Sequence, residues 1–84
     1  MKIPVTQHHI DEGQRGSSTR DPIAFAMSDA GCVQPYAGIY RLFWYDESGG
    51  KHTVDITEQL YEFIRAFDQG EPVQPFEFEL KESE

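Results

Sequence analysis

The residues of this 84-residue chain with the most suggestive chemistry lie in a polar loop that runs from Gly13 to Asp21. The loop carries two arginines and three hydroxyl side chains, and it leads directly into a predicted helix. Backbone N–H groups and the helix dipole both favour an anion at such a helix start. These features predict an anion or nucleotide-phosphate site, with candidate residues Arg15, Ser17, Ser18 and Arg20.

Two features of the same loop favour a simpler interpretation. A carboxylate at Asp21 would cap the helix, occupy its first N–H groups and repel a second anion. The spacing of Gly13 and Gly16 also differs from that of a phosphate-binding loop, which ends in Gly-Lys-Ser or Gly-Lys-Thr. A capped helix after a mobile polar loop is therefore the favoured alternative.

Side chains of the types that bind transition metals occur near the start of the chain and at two later positions. The candidate ligands are His8, His9, Asp11, Glu12, Cys32 and His52. Neighbouring residues on a helical turn point about 100° apart, so the two adjacent histidines cannot share one ion. We therefore expect no metal site and no cofactor. The histidines are interpreted as surface residues, with His9 hydrogen-bonded to hold the loop.

Catalytic pairings can be composed from these residues, but none has a supporting motif. Cys32 could pair with a histidine, and Ser17 or Ser18 could combine with His9 and Asp11. Neither arrangement has the local sequence that accompanies an activated nucleophile. Cys32 has small or apolar neighbours and is expected to fill the core. The sequence thus predicts no catalytic residues and no enzymatic activity.

The formal net charge of −8 is distributed unevenly along the chain. Residues 1–45 carry four acids and four bases, whereas residues 46–84 carry eleven acids and three bases. The acidic half repels phosphates, which argues against direct nucleic-acid binding and favours a protein partner with a basic surface. The expected contact residues are Asp46, Glu47, Glu58, Glu62, Asp68, Glu71, Glu77 and Glu79. An ordinary solvated face on an acidic protein is the alternative interpretation.

Bulky side chains between positions 36 and 45 suggest a second binding surface. The residues concerned are Tyr36, Tyr40, Trp44 and Tyr45. One face of a strand here must pack on the helices, but the other face also carries large residues, so Trp44 or Tyr45 is a candidate for exposure. Filling of the core is the favoured alternative.

Length and composition predict a single domain, because 84 residues leave no room for a second core. We expect the domain to span residues 1–81, followed by a frayed acidic tail at residues 82–84. One cysteine cannot form an internal disulfide. No stretch has the apolar length of a secretory signal or a membrane span. These properties are typical of a cytoplasmic protein with no membrane partner.

Hydrophobic patterning predicts three helical segments and four strands. The expected elements are a strand at 2–5, a helical turn at 7–12, a helix at 22–31, a hairpin of strands at 38–45 and 51–56, a helix at 58–70 and a strand at 76–81. In the last helix four large apolar residues recur at i, i+3, i+4 and i+7, which is the strongest of these signals. The expected fold class is α+β, with a mixed or antiparallel sheet of about four strands and two main helices on one face.

Two segments, VTQHHIDEGQRGSSTRDPIAFAM at 5–27 and FIRAFDQGEPVQPFEFEL at 63–80, resemble a group of small uncharacterised bacteriophage and prophage proteins. That group typically has a His-Ile pair, two spaced glycines and then Cys-Pro before an aliphatic and alanine helix. Asp21 stands here where cysteine is more common, so any thiol role of that position is absent. The resemblance implies a phage accessory protein in a bacterial cytoplasm and supplies no mechanism.

Together these observations predict a small acidic accessory protein that binds and modulates or inhibits a host or phage protein. The partner is expected to handle nucleic acid or to take part in defence. Two alternatives stay open. One is an anion-binding protein that uses the loop from Gly13 to Asp21, and the other is an assembly protein that self-associates through its edge strand from Ile3 to Val5. The sequence does not define the oligomeric state.

Overall fold

The computed structural model describes residues 1–80, so the expected tail at 82–84 and residue 81 of the expected last strand lie outside the described residues. The elements are β1 (Lys2–Val5), α1 (Gln7–Glu12), α2 (Pro22–Asp29), β2 (Val33–Ala37), β3 (Arg41–Tyr45), β4 (Lys51–Asp55), α3 (Glu58–Asp68) and β5 (Phe76–Glu79). The strands form two antiparallel sheets, β1–β5 and β2–β3–β4. The α+β fold class with antiparallel strands is therefore confirmed.

The smaller sheet joins the two ends of the described chain. Its register pairs Ile3 with Phe78 and Val5 with Phe76. The side chains of Ile3, Val5 and Phe78 are buried, whereas the residues between them are exposed, as expected for strands with one wet face. Pro4 has no N–H to donate, which suits β1 to the edge of a sheet and limits its pairing with a further strand.

The larger sheet differs from the prediction in its first two strands. β3 begins at Arg41 rather than at Gly38, and β2 is a strand that the hydrophobic pattern does not predict. The pairing of β2 shifts between Val33 and Tyr36, and Gln34 has a positive φ of 50°. Such a bulge interrupts the two-residue alternation by which a strand is recognised in a sequence. The strands thus number five, in two sheets, rather than about four in one.

Each helix begins at a polar cap, and the cap at Asp21 is the one expected above. The side chains of Thr6, Asp21 and Thr57 accept hydrogen bonds from backbone N–H groups in the first turns of α1, α2 and α3. Gly31 and Gly70, just beyond α2 and α3, have positive φ values of 102° and 79°, which glycine adopts at little cost.

The core is built around α2, which contacts α1, β1 and β2. Ile23, Ala24 and Met27 of this helix are fully buried. The predicted apolar stripe of α3 is also buried, and it consists of Leu60, Phe63, Ile64 and Phe67. One hydrophobic cluster contains residues of both sheets and of the two longer helices, so it fixes the position of the larger sheet.

Candidate functional site on the larger sheet

The larger sheet has one buried face and one open face. Leu42 and Trp44 are 0% and 3% exposed, so they lie on the buried face. Side chains alternate along a strand, and Phe43 and Tyr45 therefore lie on the opposite face, where both are partly exposed. Tyr36 of β2 pairs with Phe43 on that side. The sequence left Trp44 and Tyr45 as candidates for exposure. Trp44 is in fact a core residue, and Tyr45 lies on the open face.

The aromatic rings on the open face are stacked within the sheet. The ring centroids of Tyr36 and Phe43 are 4.4 Å apart, with an angle of 13° between the planes. The Lys51 ammonium lies 4.4 Å from the Phe43 centroid, and because Tyr36 covers one face of that ring, the ammonium occupies the other. A Cβ added at Gly38 would approach the Tyr36 ring to 3.0 Å. Phe43 therefore has neither face free for a ligand.

An open groove of about 620 Å³ follows this face. The loop between β2 and β3 forms one wall, in which Ile39 and Tyr40 are 50% and 77% exposed. Arg41 and Lys51 line the groove, and within residues 1–80 no carboxylate does. We call this surface the sheet groove, defined by Tyr36, Ile39, Tyr40, Arg41, Phe43 and Lys51.

The sequence identified only part of the sheet groove. Tyr36 and Tyr40 were among the candidates, whereas the other four residues of the groove were not. Both faces of β3 are bulky, so its own alternation does not show which one is buried. The missed signal is the alternation of β4, because Val54 and His52 pair with Leu42 and Trp44 and share their face of the sheet.

The polar loop before α2 is held by hydrogen bonds within the chain. A backbone N–H of β2 donates to the Ser18 carbonyl at 2.8 Å, and the Arg20 N–H donates to Ser17 Oγ at 3.1 Å. Asp21 accepts from the Ala24 N–H at 2.7 Å. The backbone N–H groups of Arg20 and Ala24, which could otherwise face an anion, thus donate to side chains of the protein itself.

Arg15 lies at the C-terminal end of α3. A Cβ added at Gly70 would lie 3.2 Å from its Cζ atom, so the guanidinium is close to the end of that helix. The helix dipole favours a cation there. The neighbouring Gly16 N–H donates to the Asp68 carboxylate at 3.0 Å, which ties the loop to α3. Arg15 therefore has a structural position that requires no bound anion, although its side chain is exposed, as that of Arg20 is.

Asp21 is 2% exposed, and burial raises its pKa to about 7. The hydrogen bond from the Ala24 N–H acts in the opposite direction, and the negative charge of Asp68 raises the pKa further. The ionised form of this cap is therefore disfavoured in the folded protein, which couples its protonation to folding.

His9 is 5% exposed, and both of its ring nitrogens have partners. The Thr6 N–H donates to Nδ1 at 2.9 Å, so Nε2 carries the proton and donates to the Asp29 carboxylate at 2.6 Å. This side chain completes a capping box at the start of α1 and links α1 to α2. Since both nitrogens are engaged, His9 has none available as a base for Ser17 or Ser18.

Several of the proposed protein-binding carboxylates form ion pairs within the chain. Glu62 pairs with Arg65 at 3.1 Å, and Glu77 pairs with Lys2 at 3.9 Å. Glu79 pairs with the N-terminal amine at 2.6 Å. These pairs lie on α3 and on the smaller sheet, so the acidic residues are spread over different elements rather than gathered in one pocket.

Asp46 organises the turn between β3 and β4. Its carboxylate accepts from the Ser48 and Gly50 N–H groups at 3.0 and 2.9 Å, and it lies 2.8 Å from His52 Nε2. The hydrogen bond with His52, followed by those of Ser48 and Gly50, lowers the pKa of Asp46 below its ordinary range. This carboxylate has a structural role in the turn.

The remaining proposed contact residues differ in whether their carboxylates already have a partner within the chain. Asp68 accepts from Gly16, as described above. Glu47, Glu58 and Glu71 are exposed, and their carboxylates make no hydrogen bond or ion pair with other residues of 1–80. These three carboxylates are therefore the ones that a basic partner could contact without displacing an internal bond.

A smaller cleft of about 250 Å³ lies between α1 and α2. Its lining residues are His8, His9, Glu12, Phe25, Ser28 and Asp29. In the part of the chain that the structure describes, no three His, Cys, Asp or Glu side chains are placed to hold a metal ion. Cys32 is buried and lies apart from this cleft's lining.

Comparison with protein-family models, with curated proteins and with solved structures finds no match to this chain. None of the helices in residues 1–80 is long and apolar enough to cross a membrane. The sheet groove and the exposed carboxylates are therefore the features of the fold that bear on function.

Proposed function

We propose that this chain is a small binding protein that attaches to another protein through the sheet groove. The observation that carries the proposal is the exposure of Ile39 and Tyr40 in the loop between β2 and β3, beside Arg41 and Lys51 of the same groove. Apolar side chains surrounded by charge are typical of contact surfaces. Tyrosine and arginine are also among the residues that contribute most to binding at interfaces.

The hydrogen bonds of the polar residues support binding rather than catalysis. His9 uses both ring nitrogens inside the fold, and Asp46 is bonded within its turn. Neither is available to activate a nucleophile. Stacking of nucleobases on the sheet is also restricted, because both faces of Phe43 are occupied.

The sequence resemblance to phage and prophage proteins supports a bacterial setting for this role. The proposed partner is a host or phage protein that handles nucleic acid or takes part in defence, and binding would modulate or inhibit it. Small phage proteins that act by binding need only a contact surface, which a chain of 84 residues can supply.

A second candidate is attachment to a basic protein through Glu47, Glu58 and Glu71. The exposure of their carboxylates, which have no hydrogen-bond or ion-pair partner among the described residues 1–80, favours this version, as does the net charge of −8. Long-range attraction by such charges accelerates association and weakens as salt concentration rises.

Affinity capture from bacterial lysate at low and high salt, with proteins identified by mass spectrometry, tests both candidates. The first variant is Ile39→Ser with Tyr40→Ser, and the second reverses the charges of Glu47, Glu58 and Glu71. Tyr61→Ser is the matched control for the first variant, because Tyr61 is 40% exposed on α3 and lies outside the sheet groove.

A partner lost only with the first variant supports binding through the sheet groove. Loss only with the second variant, together with release by high salt, supports the acidic surface instead. A partner retained by both variants contradicts both candidates, as does an empty capture with the unaltered protein.

A further inference from the structure

We infer that the sheet groove binds one extended peptide segment of the partner, in which a carboxylate stands next to an aliphatic or aromatic side chain. This inference rests on the proposed function and specifies the chemistry of the contact.

The size of the groove fits a peptide better than a folded surface. A five-residue strand is about 17 Å long, and the outer strands of a three-stranded sheet lie about 10 Å apart. The face is therefore roughly 170 Å² in projection, whereas a stable interface between folded proteins takes about 800 Å² from each partner. The volume of about 620 Å³ lies within the range of pockets that enclose small ligands.

The charge of the groove is opposite to that of the protein. Of the residues 1–80 that the structure describes, Arg41 and Lys51 line the groove and no Asp or Glu does, in a chain with a net charge of −8. A carboxylate is thus attracted to this face and repelled by most of the remaining surface. The ligand's negative charge follows from that complementarity.

Both cations are available to a ligand. Arg41 Nε lies 3.7 Å from Asp55 Oδ1, and the two side chains are 68% and 92% exposed, so this pair is weak. The guanidinium can donate two hydrogen bonds to a second carboxylate in bidentate geometry. Lys51 lies over Phe43 and has no carboxylate partner within residues 1–80.

The apolar wall beside these cations is fixed in place. Ile39 and Tyr40 project from a loop whose backbone is anchored by a hydrogen bond from the Ile56 N–H to the Tyr40 carbonyl at 3.0 Å. An anchored loop loses less conformational entropy on binding than a free one. The exposed side chains of this loop and the edges of the stacked rings provide the contact for the ligand's apolar residue.

Selection on the immobilised protein from a phage-displayed library of random dodecapeptides tests the inference. Enriched sequences should place Asp or Glu within two positions of Leu, Ile, Phe or Tyr. A synthetic enriched peptide should lose about tenfold or more in affinity with Lys51→Glu or Arg41→Glu. Tyr40→Ser should weaken binding by a similar factor. Arg20→Glu makes the same charge change outside the groove and should leave the affinity within about twofold.

Four results would overturn the inference. These are an absence of enrichment, enrichment of basic peptides, equal binding by the groove variants, and tighter binding of a single-stranded dodecathymidylate than of the selected peptides. If the library fails while lysate capture is still lost with the groove variant, the proposed function stands and the partner's contact is a folded surface. Failure of both removes the proposed function as well.

Discussion

Asp21 and His9 are the two buried polar or charged residues of the described chain, and each serves the start of a helix. His9 has a partner for each ring nitrogen. Asp21 has the Ala24 N–H as donor but also the unfavourable charge of Asp68 nearby. The two side chains should therefore respond differently to substitution, since one is fully satisfied and the other is only partly so.

The pKa of Asp21 predicts that stability falls as pH rises toward neutrality. The pKa is about 7 in the folded protein against an ordinary 3.8, so the folded state holds this proton more tightly than the unfolded chain. The stability that Asp21 contributes is fully present below about pH 4 and is lost as pH approaches 7, by about 1.4 kcal/mol per unit. Asp21→Asn keeps a capping side chain and should remove that loss.

Urea denaturation of both proteins at pH 4.5 and pH 7.5 measures this effect. The variant should gain about 2 to 4 kcal/mol relative to the unaltered protein between the two conditions. Asp68→Asn serves as a control, because removing its charge should make the fall smaller without abolishing it. An identical pH dependence for Asp21→Asn and the unaltered protein would contradict the raised pKa.

Substitution of His9 tests its role as a link between α1 and α2. His9→Ala should cost about 2 to 4 kcal/mol of unfolding free energy, because it leaves the Thr6 N–H without a partner and removes buried contacts. His9→Gln should recover about 1 kcal/mol, since glutamine at this position can complete a capping box. Denaturant midpoints supply the values. The neighbouring exposed His8→Ala should change stability by less than about 0.5 kcal/mol, and equal effects at both histidines would refute the assignment.

Among the elements, the three helices meet at Gly13. A Cβ there would lie 2.7 Å from Pro22 Cδ at the start of α2 and 3.0 Å from Phe67 Cζ on α3. The φ of Gly13 is −67°, so the requirement for glycine comes from this close approach and not from the backbone conformation. The position therefore sets how closely the end of α1 packs against the other two helices.

Gly13→Ala should destabilise the protein by about 1 to 3 kcal/mol through overpacking between the helices. Chemical denaturation is the measurement, and Gln14→Ala is the control because that residue is exposed and adjacent. Gly16→Ala should cost about 1 kcal/mol for a different reason, since Gly16 has a φ of 74° and no atom within 4 Å of the added carbon. A neutral effect at Gly13 would show that the helices can separate at no cost.

The sequence predicted those elements whose signals are local. Asp21 marks the start of α2 by its cap, and the apolar stripe of α3 follows from its spacing alone. β2 could not be predicted, because its bulge at Gln34 breaks the alternation. The division into two sheets depends on which distant strands pair, as when β1 meets β5, and no local pattern contains that information.

The candidate sites were also predictable to different degrees, because some depend on local sequence and others on the pairing of distant strands. The exposure of the acidic residues follows from their type, but the ion pair of Glu77 with Lys2 depends on pairing between the chain's two ends. The stack of Tyr36 on Phe43 depends on the register of a strand that the sequence did not show. Sites formed across strands therefore required the structure, whereas sites within one loop did not.

For the molecule as a whole, the excess of negative charge should reduce stability through self-repulsion. Raising NaCl from about 20 to 500 mM should raise Tm by about 2 to 5 °C, because the Debye length shortens to a few ångströms. Glu47→Gln with Glu71→Gln should also raise Tm and reduce its dependence on salt. Glu58 is unsuitable here because it interacts favourably with the α3 N-terminus.

Differential scanning fluorimetry over a salt series provides these measurements. Arg20→Gln is the control of opposite sign, since it makes the net charge more negative and should lower Tm slightly. A Tm independent of salt in all three proteins would show that the acidic residues do not repel one another appreciably in the folded state.

The contact between Trp44 and His52 gives the protein an optical reporter. Their ring centroids are 5.3 Å apart at an angle of 13°, and Trp44 is the single tryptophan of the chain. The emission of this indole therefore reports on its contact with His52 without interference from another tryptophan. Because Trp44 faces the core, a change in its emission on adding a peptide would mean that binding on the open face of the sheet alters the packing on its buried face.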